Sequence, residues 1–88
     1  MSDHRDPIWH DLKTWPEYFR DVLNQLKPFE VRKADRDFRT CDYLTLREWD
    51  PETGDYTGRS VCRSISYVLP GGAFGVEEGY VVLGIYPV

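Results

Sequence analysis

Cysteine is scarce in this 88-residue chain: Cys41 and Cys62 are the only two, with no CxxC spacing and no cluster of Cys and His. That excludes a disulfide scaffold and a zinc-finger type of site, and it fits a reducing, cytoplasmic compartment. Long apolar runs are also missing. The stretch Tyr80–Ile85 is far too short to span a bilayer, and the opening MSDHRDPIWH lacks a charged-then-apolar leader, so no membrane or secreted role is expected. Positive charge is short as well. A net charge of −4 excludes a protein that coats nucleic acid by charge alone, because that mode needs many Lys and Arg contacts to phosphate.

What is present is a strong aromatic complement, 15% of residues, within a 41% hydrophobic total. A chain of this length builds one domain whose modest core depends on large side chains. The expectation is a flexible segment over 1–8 and a single soluble domain over 9–88. Charge is unevenly spread: Lys27, Arg32, Lys33, Arg36 and Arg39 stand against Glu30, Asp35 and Asp37, a local +2 that leaves −6 for the rest.

Trp9–Lys13 reads as a short first strand. Thr14-Trp15-Pro16-Glu17 has the form of a capping box, with Pro16 in a first turn that needs no amide donor. Phe19, Val22, Leu23 and Leu26 recur at helical spacing, and Pro28 disfavours helical geometry at Lys27, so the helix should end near Gln25. Residues 28–34 alternate, Phe29 and Val31 on one face, Glu30 and Arg32 on the other. Tyr43–Trp49 and Val61–Leu69 read as antiparallel neighbours joined by a turn-rich loop over 50–58. A glycine-rich loop follows Pro70, and Tyr80–Tyr86 closes the pattern. One helix followed by four or five strands predicts an α+β, mainly β fold: a small barrel or strongly curved sheet with the N-terminal helix packed on it.

Several segments in order carry a resemblance: His10-Asp-Leu-Lys13, Pro16-Glu-Tyr-Phe19, Lys27-Pro-Phe-Glu-Val-Arg-Lys33, Asp35-Arg-Asp-Phe38, Asp42-Tyr-Leu-Thr-Leu-Arg-Glu48, Tyr56-Thr-Gly-Arg59 and Gly79-Tyr-Val-Val-Leu83. Together they resemble the ASCH superfamily with its PUA-like barrel, and within it the small bacterial and phage group DUF3850. The superfamily pattern G-x-K-x-x-E-x-R falls on Lys27, Glu30 and Arg32, with Gln25 where the glycine is expected. Cys41 likewise replaces the glycine usual before Asp42, and Ala34 an Asn. The resemblance implies a cleft between helix and barrel and an association with RNA binding, ribonuclease activity or hydrolysis of acylated cytidine. In the amidohydrolase branch the motif lysine works with a threonine three residues on; Glu30 stands there instead, which leaves Lys27 and Glu30 as the candidate acid–base pair.

Read from pattern alone, Glu30 and Arg32 form an exposed ion pair. Read as a pocket, arginine offers a planar fork to phosphate, lysine a point charge, and glutamate an acceptor for base amino groups. The candidate ligand-binding set is Lys13, Thr14, Lys27, Glu30, Arg32 and Lys33. Lys13 precedes a helix N-terminus that favours anions, and Thr14 doubles as a cap. Arg36 braces the turn around it or extends the positive rim with Arg39. Trp15, Tyr18, Tyr67 and Phe74 are the aromatics free to stack on a base, whereas Phe19, Phe29 and Phe38 are expected in the core. His4 and His10 have no triad or metal spacing. Gly71–Gly75 lacks the ending of a P-loop and reads as a loop beside the cleft, with a lid as its functional use. No metal or cofactor is called for. Three partner classes fit: single-stranded RNA or a modified nucleotide, a hydrolysable nucleoside or RNA substrate, and a host protein engaged by the acidic remainder.

Overall fold

The computed structural model describes residues 5–88. Its elements run β1 (Trp9–Thr14), α1 (Pro16–Leu23), β2 (Phe29–Lys33), β3 (Tyr43–Asp50), β4 (Asp55–Pro70) and β5 (Tyr80–Pro87). The strands form one five-stranded sheet in the order β1-β3-β4-β5-β2. β1 lies parallel to β3, as a strand returning after a crossover must, and the other neighbours are antiparallel. Bulges between Arg47 and Trp49 and between Ile65 and Tyr67 bend the two longest partners, so the sheet curls into a half-barrel. The expected 50–58 loop is shorter than its turn-forming composition implied, because β4 begins at Asp55 and only residues 51–54 turn.

Period-two alternation decides the core. His10, Leu12 and Thr14 of β1, Leu44, Leu46 and Glu48 of β3, and Val81, Leu83 and Ile85 of β5 all point inward. Phe19 and Val22 of α1, with Phe38 and Ile65, complete the buried apolar set. Each such side chain contributes about 1.5–3 kcal/mol on burial. Arg63 of β4 ties the helix to the sheet: its guanidinium donates to the Val22 carbonyl in the last helical turn at 2.9 Å, where the helix dipole favours a cation.

Three local expectations change. The helix is capped by Trp15 with no side-chain cap bond, and Thr14 belongs to β1, its hydroxyl accepting from Arg32 instead. The helix stops at Leu23 in a Schellman turn, Leu26 N–H donating to Asp21 O and Gln25 N–H to Val22 O, with Gln25 at φ 60°. Leu23 and Leu26 are therefore exposed. Phe29 leaves the core and is 42% exposed, because β2 turns its charged face inward.

Gln25 and Cys41, the two positions where glycine was expected, both adopt positive φ, 60° and 78°. That region crowds the Cβ of an L-residue and suits glycine. Gln25 and Cys41 thus carry backbone strain at these two positions.

Candidate functional site

β1 and β2 are the two edges of the sheet, and Arg32 spans the opening between them. Its guanidinium donates to the Lys13 carbonyl at 3.0 Å and to the Thr14 hydroxyl at 3.1 Å, both on the opposite edge. A third bond, 3.1 Å long, goes to Oε1 of Glu30 on its own strand. Glu30 is the buried centre of this arrangement, its side chain 4% exposed. Its other oxygen, Oε2, accepts from Nζ of Lys27, whose ammonium also donates to the Phe29 carbonyl. A carboxylate this deep is expensive to ionise unless cations and donors surround it, and Lys27 and Arg32 supply both.

A cleft of about 600 Å³ opens above this triad, lined by Lys13, Thr14, Trp15, Glu17, Tyr18, Lys27, Glu30, Val31 and Arg32. That volume lies in the range of small-ligand sites. Trp15 and Tyr18, 49% and 52% exposed, stand at its rim on the first turn of α1 and just before it. The apolar wall and the charged floor come from one local feature. Pro16 starts the helix directly after β1, which brings its first-turn aromatics beside the last residues of that strand.

Five of the six residues singled out from the sequence, Lys13, Thr14, Lys27, Glu30 and Arg32, line this cleft, and Lys33 does not. Lys33 lines a second depression of about 300 Å³ across Arg32. The Lys13 ammonium sits 3.8 Å from the centre of the Trp49 ring, a cation–π contact that holds it against β3. Of the four aromatics considered for stacking, Trp15 and Tyr18 line the cleft, while Tyr67 and Phe74 are exposed elsewhere. The Gly71–Gly75 loop lines neither depression, and Gly71 packs so tightly on the Glu77 and Tyr80 carbonyls that a side chain would not fit. His4 lies outside the described residues.

The most deeply buried carboxylate, Asp42, had no signal of its own in the sequence. Asp42, 1% exposed, accepts from both guanidinium nitrogens of Arg5 at 2.9 and 3.0 Å and from the Ile8 and Arg39 amides. Nε2 of His10 lies 2.8 Å from Oδ2. Burial alone would raise the Asp42 pKa, but the bonds from Arg5, His10 and the two amides outweigh it and hold the carboxyl well below the usual range. The same bonds tie residues 5–8 to the β2–β3 connection. Among the described residues no group of three His, Cys, Asp or Glu side chains is placed to hold a metal ion, and no helix is long and apolar enough to cross a membrane.

The half-barrel with its Lys27-Glu30-Arg32 floor coincides with a known sequence family, the domain of unknown function DUF3850, whose model matches residues 9–85. The chain belongs to the DUF3850 family. It is also similar to a curated relative from Escherichia phage P2, the "Uncharacterized 12.9 kDa protein in GpA 3'region", at 42% identity over 52 residues. That match takes in 59% of this chain and 46% of the phage protein, so under half of the relative's length is represented. The family match runs from the first residue of β1 to Ile85 of β5, and so includes both edges of the opening and every residue lining the cleft.

Proposed function

We propose that this DUF3850 domain is an ASCH-type, PUA-like module that binds a nucleotide unit, free or within single-stranded RNA, in the cleft between α1 and the open seam of the half-barrel. The observation that carries the reading is the buried Glu30 carboxylate held between Lys27 and Arg32 in a cleft also lined by two exposed aromatic rings, Trp15 and Tyr18. Each Glu30 oxygen accepts one protein hydrogen bond and keeps a lone pair for a base amino group. Lys27 and Arg32 hold N–H groups for ring nitrogens or carbonyl oxygens of the base, or for phosphate. Trp15 and Tyr18 supply the stacking surface, worth about 1–3 kcal/mol per base. The cleft's floor is nearly charge-balanced, so shape and hydrogen bonding, rather than bulk positive charge, select the ligand in a protein of net charge −4.

The test is titration of intrinsic tryptophan fluorescence with nucleoside monophosphates and short single-stranded RNA, on the wild type and on Lys27→Glu and Glu30→Gln. Saturable quenching that both substitutions weaken by tenfold or more, with an unchanged circular dichroism spectrum, is the expected result. Quenching indifferent to both removes the cleft as the site.

A further inference from the structure

The depression that holds Lys33 shares two lining residues with the main cleft, Lys13 and Arg32. The two concavities are therefore neighbours along one seam between the edges β1 and β2, divided by the Arg32 guanidinium where it crosses to Lys13 and Thr14. Three of the five Arg32 guanidinium N–H groups are used, by Lys13, Thr14 and Glu30, which leaves two at the dividing wall. The character of the second depression differs from the first. Lys33 has no carboxylate within ion-pair distance among the described residues, and the Arg36 guanidinium has an exposed 3.6 Å contact with Asp35, of little energetic weight, and a cation–π contact 5.7 Å from the centre of the Phe38 ring. Lys13, Arg32, Lys33 and Arg36 outnumber the two carboxylates there, Asp11 and Asp35.

We infer that the ligand is a single strand of at least two nucleotides, lying along the seam with one base in the main cleft and the adjoining phosphate in the second depression against Lys33 and Arg36, Arg32 reaching the linkage between them. This deepens the proposed function and rests on it. A lone nucleotide needs only the main cleft; the second depression, electropositive in a chain of net negative charge, has use only for a ligand that continues past Arg32. Single-strand binders pair such a phosphate track with stacking platforms.

The experiment compares the four nucleoside monophosphates with fluorescein-labelled mixed-sequence RNA and DNA hexanucleotides, by competition and anisotropy, on the wild type, Lys33→Glu and Arg36→Ala. The expected result is hexanucleotide binding at least tenfold tighter than that of any monophosphate. Lys33→Glu then removes most of that advantage and leaves monophosphate affinity unchanged. The slope of log K against log salt also becomes shallower by about 0.7, the value of one phosphate contact on a single strand. Arg36→Ala gives a smaller loss in the same direction. Equal affinity for monophosphate and hexanucleotide, or a hexanucleotide affinity untouched by both variants, overturns the inference while leaving the main cleft as a nucleotide site. Failure of the wild type to bind any of these probes overturns the underlying reading, and this inference with it.

Discussion

Of the three buried carboxylates, Glu30, Asp42 and Glu48, the two deepest are built differently. Asp42 accepts five hydrogen-bonding contacts from Arg5, Ile8, His10 and Arg39 and is shut away from solvent. Glu30 is nearly as deep, yet it takes only one contact on each oxygen, and a cleft opens over it. A saturated carboxylate has no acceptor capacity left for a ligand and serves to fasten chain segments together. An unsaturated one, flanked by cations in a cleft lined by exposed aromatics, is positioned to receive something. Under the proposed function, Asp42 serves stability and Glu30 serves binding.

The largest effect that tests this division is on stability. Asp42→Ala should lower the unfolding free energy by about 3 kcal/mol or more, because it strands buried donors that lose their common acceptor; urea denaturation monitored by circular dichroism measures it. Glu30→Gln should cost about 1 kcal/mol, since Lys27 and Arg32 keep access to water. Equal losses in the two variants would erase the distinction.

The pH dependence separates them next. The folded-state pKa of Asp42 is depressed, so its contribution is complete above the ordinary aspartate value of about 4 and is lost as pH falls below that value. Wild-type stability should therefore decline on acidification below about pH 4, and Asp42→Asn should flatten that decline, as read from melting temperatures across the acid range. An undiminished slope in the variant would place the acid-sensitive group elsewhere.

The smallest effect concerns backbone strain at each centre. Gln25→Gly and Cys41→Gly should each stabilise the domain by about 0.5–1 kcal/mol, relief at positive φ exceeding the entropy cost of glycine. Cys41→Gly, beside Asp42, should leave ligand affinity untouched. A destabilised Cys41→Gly would mean that the left-handed turn carries little strain.

Much of the fold was legible because alternation and helical spacing are local. Every strand was visible in its own segment, and the β3–β4 pairing followed from one turn-rich stretch. What escaped was decided by distant partners. Phe29 has every property of a core residue, but Glu30 and Arg32 must face the seam to meet Lys27, Lys13 and Thr14, and a strand cannot bury both faces there. Thr14 resembled a helix cap for the same reason; Arg32, eighteen residues further on, claims its hydroxyl. The cleft residues were legible because they lie in two short runs, 13–18 and 27–32, whereas the Asp42 centre draws on Arg5, His10 and Arg39 from segments with no shared pattern. The expected pairing of glycine with positions 25 and 41 gained a physical meaning only once their positive φ values were seen.

The most direct test of the central claim is ligand titration of the wild type against Lys27→Glu, matched with melting curves on the same samples. The account predicts saturable binding of single-stranded RNA or its nucleotides by the wild type, weakened tenfold or more in the variant, with both samples folded at the temperature of the titration. Wild-type protein that binds none of these ligands, or a variant that binds as well as the wild type, would contradict it.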